Sequence, residues 1–113
     1  MLQRILARFT ALTGVDQAYI ISIRDGLVSA VGKRNRVPEV EHATQLLKTL
    51  IDMEQSTGIG QGLEMWCEGG EKLMLSRLNI DSFLVLSGKK GGRIARWRHA
   101  IDRDADMICA LMR

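Results

Sequence analysis

Arg24-Asp25-Gly26 stands between two short apolar runs, Gln17 to Ile23 and Leu27 to Val31. An Asp-Gly pair in that setting reverses the chain, because glycine tolerates the positive φ that tight hairpin turns require. The flanking runs, QAYIISI and LVSAV, are rich in β-branched and aromatic residues, which suit a pleated strand. An antiparallel pair is thus fixed early in the chain, and the other segments have to build on it.

Helical spacing precedes and follows this hairpin. Leu2, Ile5, Leu6, Phe9 and Leu12 recur at gaps of three and four, lining one face of a helix that Gly14 would stop. After the polar loop GKRNRVP, Pro38 can open a helix running to about Gln55, since a missing N–H is harmless in the first turn. On that helix Val40, Ala43, Leu46, Leu47, Leu50, Ile51 and Met53 spread over roughly 160°, wider than the ~100° stripe that covers one surface. The spacing predicts a helix buried on two sides, with a polar arc of Glu41, Gln45, Lys48 and Asp52 left for solvent or a partner. STGIGQG breaks the pattern, and LEMWCE, EKLMLSRL and DSFLVLS then read as three strands. From about Gly92, Ile94, Trp97, Ile101, Ala105, Ile108 and Met112 return to helical spacing. The order α-β-β-α-β-β-β-α predicts an α+β domain, five antiparallel strands with helices against them.

At 113 residues this is one domain, 1–113, with room for a single two-layer core and no separate catalytic lobe. Charged residues at 26% and apolar ones at 46% are ordinary globular values, which excludes disordered, collagenous and disulfide-scaffold chains. No apolar run reaches the ~18–20 residues of a membrane span. Arg4 and Arg8 interrupt the apolar period of the first helix, so it does not read as a signal peptide. Two cysteines at an ordinary spacing point to reduced thiols and a cytoplasmic location.

Signatures of catalysis are sparse. Gly58-Ile59-Gly60-Gln61-Gly62 joins a helix to a strand, the reverse of the order that aims a helix N-terminus at a pyrophosphate. Gly88-Lys89-Lys90-Gly91-Gly92-Arg93 runs from strand to helix, a better setting for an anion, yet it lacks the spacing that wraps a nucleotide. His42, Cys67, His99 and Cys109 have no short metal-ligand spacing, and both cysteines read as small buried hydrophobes. Asp102, Asp104 and Asp106 alternate around a helix and read as solvated surface. Neither a catalytic group, a metal site nor a cofactor is expected.

Charge is more informative. Lys33, Arg34 and Arg36 lie in one loop, and Lys89, Lys90, Arg93, Arg96 and Arg98 fall within ten residues holding no acid. With Arg103 and His99 these make a basic face, Lys89, Lys90, Arg93, Arg96 and Arg103, suited to an acidic protein or an anionic membrane surface. Phe9, Tyr19, Trp66, Phe83 and Trp97 sit mostly at apolar-patterned positions, so stacking platforms for nucleic acid are not expected. Self-association is expected instead. The over-wide apolar arc of the long helix asks for a second surface, and the strand around Met65, Trp66 and Cys67 has no Pro or Lys to guard it if it lies at a sheet edge.

The run LTGVDQAYIISIRDGLVSA, Leu12 to Ala30, resembles the opening motif of Roadblock-type dynein light chain domains. LMLSRLNIDSFLVL, Leu73 to Leu86, is similar to the family's fourth and fifth strands, and Gly92 precedes the last helix as it does there. The resemblance implies a profilin-like layered sandwich, with the long helix on one sheet face and the two terminal helices on the other. It implies a homodimer through the long helix and third strand, which puts Leu47, Leu50, Ile51, Glu64, Met65 and Trp66 near the seam. In the bacterial branch it implies association with a small Ras-like GTPase. The residues then suggest a non-enzymatic regulator that contacts the GTPase through Glu41, Gln45, Lys48 and Asp52, with Arg34 or Arg36 able to reach a γ-phosphate only if the partner docks beside their loop. The alternative is an adaptor that recruits an anionic partner through the basic face, with no GTPase. A site borrowed across a dimer seam would be the enzymatic reading.

Overall fold

Ser-Phe-Leu-Val-Leu, residues 82–86, is buried without alternation, the mark of a strand covered on both faces. The computed structural model describes residues 1–32, 40–89 and 91–112, so Pro38, the loop cations Lys33, Arg34 and Arg36, and Lys90 lie outside the described residues. The order is α1 (Leu2–Phe9), β1 (Val15–Ser22), β2 (Gly26–Gly32), α2 (Val40–Thr57), β3 (Glu64–Glu68), β4 (Glu71–Arg77), β5 (Ser82–Lys89) and α3 (Ile94–Leu111). The strands form one antiparallel sheet in the order β2-β1-β5-β4-β3. This is the expected α+β architecture.

Alternation along the strands divides the core in two. Ala18, Ile20, Met74, Leu84 and Leu86 face α1 and α3, where Ile5, Leu6, Phe9, Trp97, Ile101 and Ile108 close over them. Tyr19, Ile21, Leu75, Phe83 and Val85 face the other way and receive Ala43, Leu47 and Leu50 of α2. Each such fully buried Ile, Leu or Phe contributes about 1.5–3 kcal/mol.

The hairpin forms as expected, with a wider loop. Gly26 takes φ +74° and pairs with Ser22, so Ile23, Arg24 and Asp25 make the turn. Ser22 Oγ accepts the Arg24 and Asp25 N–H groups at 3.2 and 3.3 Å. Ile23 leaves the hairpin because its N–H donates to Asp81 O at 2.8 Å. The first helix ends sooner than its apolar period suggests. Thr10 caps α1, its hydroxyl donating to Ala7 O at 2.7 Å, and the chain turns before Gly14.

Three chain segments meet where Thr13-Gly14 passes the end of β5. Gly14 has φ +87°, and a Cβ on Gly88 would stand 1.7 Å from the Gly14 carbonyl oxygen. Trp97 Nε1 donates to Thr13 O at 3.1 Å, locking α3 to the same crossing. Buried Lys72 donates to Gly91 O and Gly92 O at 3.2 and 2.6 Å, with its Nζ 5.0 Å from the Trp97 ring centre. The Gly91-Gly92 turn thus offers carbonyls to an ammonium, which is the opposite of an anion cradle.

Asp104 departs from the expected solvated surface. It is 6% exposed, between Arg8 at 3.6 Å and Arg103 at 3.1 Å, and joins α1 to α3. Both arginines keep much of their solvent, which holds the pair below the worth of a fully buried one. Asp104→Ala is expected to lower stability by about 1–2 kcal/mol in urea titration.

Candidate functional site

The strand order leaves β3 at one edge of the sheet. Its inner side pairs with β4, Met65 opposite Leu75 and Trp66 opposite Met74, and no strand among the described residues covers its outer side. Alternation sends Met65 toward the α2 layer, and Trp66 toward α3. Arg98 fixes that second face. Its Nε donates to both Glu64 oxygens at 2.8 and 2.9 Å while its guanidinium lies 5.5 Å from the Trp66 ring centre. The Glu64 hydrogen bond, and then its charge, raise the Arg98 pKa above the ordinary value. Trp66 remains 48% exposed.

On α2 the apolar arc is only partly used. Leu47 and Leu50 are buried in the chain's own core, with little surface left for a partner. Leu46 and Ile51 are half-buried on opposite flanks, and Met53 is exposed two helical turns beyond Leu46. Glu41, Gln45, Lys48 and Asp52 are all exposed along the outer stripe. Beneath the flank of His42, Leu46 and Thr49, a groove of about 680 Å³ opens over β1, β5 and β4, with Cys67 of β3 on its wall. Cys67 is exposed, where the sequence suggested burial, because its strand has no outer neighbour among the described residues. Half-buried Cys109 donates from Sγ to Leu78 O at 3.2 Å.

Some of the exposed large apolar side chains fall along the chain at this edge, as Leu27 and Val28 do at the β2 edge. Met53, Ile59, Leu63 and Trp66 all bracket the connector from α2 into β3. Sequence reasoning passed over Ile59 because it sits in a glycine-rich breaker, and read Leu63 as the start of the strand. The signal for Ile59 was there: an apolar residue in a segment that no periodicity places in the core.

Arg77 holds the edge in position. Nearly buried, it donates to Gly62 O, Ile80 O and Glu54 Oε1 at 2.8, 2.8 and 2.9 Å and stacks 4.5 Å from the Phe83 ring centre. Glu54 Oε1 also accepts the Gly62 N–H. One guanidinium therefore ties the last turns of α2, the entry to β3 and the turn into β5.

The basic segment does not form one face. Lys89 lines the groove under α2, Arg93 caps α3, Arg98 is bound to Glu64, and Arg96 and Arg103 stand on α3, where Arg103 holds Asp104. A strand end, a turn and a helix cannot present consecutive side chains to one side. Among the described residues no group of three or more His, Cys, Asp or Glu could hold a metal ion.

No family model matches the sequence, and neither does any curated protein. Solved structures do. The gliding protein mglB from Thermus thermophilus superposes with a TM-score of 0.79 at 13% identity, over 96% of this chain and 86% of that one. Myxococcus xanthus MglB gives 0.79 at 14% identity, over 98% and 94%. A Roadblock/LC7 domain from Streptomyces avermitilis gives 0.76 at 14% identity, over 96% and 95%. The element order, the sheet and the placement of helices agree with these, and from end to end the chain has the Roadblock/LC7 fold.

Proposed function

We propose that this chain is a non-enzymatic, cytoplasmic regulator that dimerises through β3 and α2 and binds a small Ras-like GTPase along the outer stripe of α2. The observation that carries the reading is the pairing of an open, apolar sheet edge with a helix whose outer stripe is exposed for three turns. The seam takes in Ile51, Glu64, Met65 and Trp66, while Leu47 and Leu50 support it from the core. Structural likeness to mglB, a gliding protein of Thermus thermophilus, supports the reading at the level of the fold. Glu41, Gln45, Lys48 and Asp52 carry both signs of charge, which sets orientation on a partner more than raw affinity.

Light scattering at micromolar concentration is expected to return about twice 12.6 kDa. Trp66→Glu, which puts a charge in mid-edge, should weaken self-association about tenfold or more. Lys48→Glu with Asp52→Lys should leave the dimer intact and weaken capture of the GTPase about tenfold. A cognate GTPase that shows neither binding nor altered hydrolysis overturns the regulatory reading, and a monomer overturns the dimer.

A further inference from the structure

Two contacts set α1 and α3 side by side and antiparallel: Trp97 reaches Thr13, and Asp104 reaches Arg8. Helical spacing then decides what lines their outer seam. Arg4 and Arg8 lie one turn apart and exposed, with Arg8 turned to α3. Arg96, His99 and Arg103 follow at i, i+3 and i+7, all exposed, and Arg103 meets Arg8 across Asp104. One turn beyond Arg103, Met107 is 52% exposed, and Leu111 continues the row at 38%. Arg8 and Arg103 hold buried Asp104, and exposed Asp106 stands on the His99 side one turn from Arg103, so the seam sets four guanidiniums against two carboxylates.

We infer that the α1–α3 seam docks peripherally on an anionic lipid membrane, with the arginines on headgroup phosphates and Met107 and Leu111 at the acyl boundary. Flexible apolar side chains interleaved with forked guanidiniums fit a surface where phosphate and hydrocarbon lie at adjoining depths. The composition of the seam differs from the basic cluster in the sequence, since half of its arginines come from α1. It lies on the sheet face opposite α2, so the inference stands apart from the GTPase reading.

Sedimentation with vesicles tests it. The protein should bind vesicles of phosphatidylglycerol and phosphatidylcholine in equal parts, ignore phosphatidylcholine alone, and release as salt is raised. Arg4→Glu with Arg96→Glu, neither of which holds Asp104, should weaken binding about tenfold or more with an unchanged circular dichroism spectrum. Met107→Glu should weaken it as well, and Lys48→Glu with Asp52→Lys should not. Failure to bind the anionic vesicles, equal binding to neutral ones, or indifference to the Arg4 and Arg96 reversals overturns the proposal. Equal capture by soluble polyglutamate with no response to Met107→Glu overturns it in favour of an acidic protein.

Discussion

Gly88→Ala is expected to destabilise the fold by about 3 kcal/mol or more, a large share of the roughly 5–15 kcal/mol that a domain has in total. The new Cβ would stand 1.7 Å from Gly14 O, 2.8 Å from Gly14 C and 3.1 Å from Asp16 N. All three are backbone atoms, so no side chain can swing aside. Relief requires β1 to move from β5 at the bulge between Val15 and Gln17, and that pair is the middle of the sheet. Gly26→Ala makes the comparison. There φ is +74° and no atom lies within 4 Å of the added Cβ, so only conformational strain of about 1 kcal/mol is expected. Thermal unfolding followed by circular dichroism separates the two, and equal losses would show that steric contact at Gly88 is not what matters.

Arg77→Ala should cost about 3 kcal/mol and loosen the sheet edge as well. Removal strands Glu54, which is 18% exposed, and leaves Gly62 O and Ile80 O without their donor. The Phe83 ring also loses its covering guanidinium. Arg77→Lys keeps the charge but not the fork, so it should recover less than half of the loss. Urea titration gives the stability term. Amide exchange gives the local one, with faster exchange in β3 and the last turns of α2 than the global change explains. If exchange rises uniformly, Arg77 is only a stability element and does not position the edge.

The five antiparallel strands were readable because each carries its own punctuation, Asp25-Gly26, Gly69-Gly70 and the Asn79 turn, whose Oδ1 accepts the Asp81 and Ser82 N–H groups at 2.9 Å. The layering of helices on the two faces followed only from the family resemblance. The exposed stripe of α2 was readable from helical spacing, while for β3 the sequence showed only that nothing would guard it at an edge, and the strand order puts it there. What resisted reading depends on residues distant in the chain. Asp104 looked solvated because its partner Arg8 is almost the whole chain away, and the Gly91-Gly92 turn looked suited to an anion because Lys72, whose ammonium takes its carbonyls, lies about twenty residues upstream. Leu47 and Leu50 show the limit from the other side. A helical wheel reports which residues are apolar but not which of them the chain itself already covers.

The strand order also bears on how the molecule comes into being. β1 belongs to the start of the chain and β5 to its last third, yet they are neighbours at the centre, Tyr19 opposite Val85. Until β5 is synthesised, β1–β2 and β3–β4 are two separate ribbons, and an isolated two-stranded ribbon is marginal in water. The sheet is therefore completed by its central strand, from the inside outward. A nascent chain halted before Ser82 has no partial version of this fold to rest in, only two apolar hairpins open to whatever strand or chaperone meets them first.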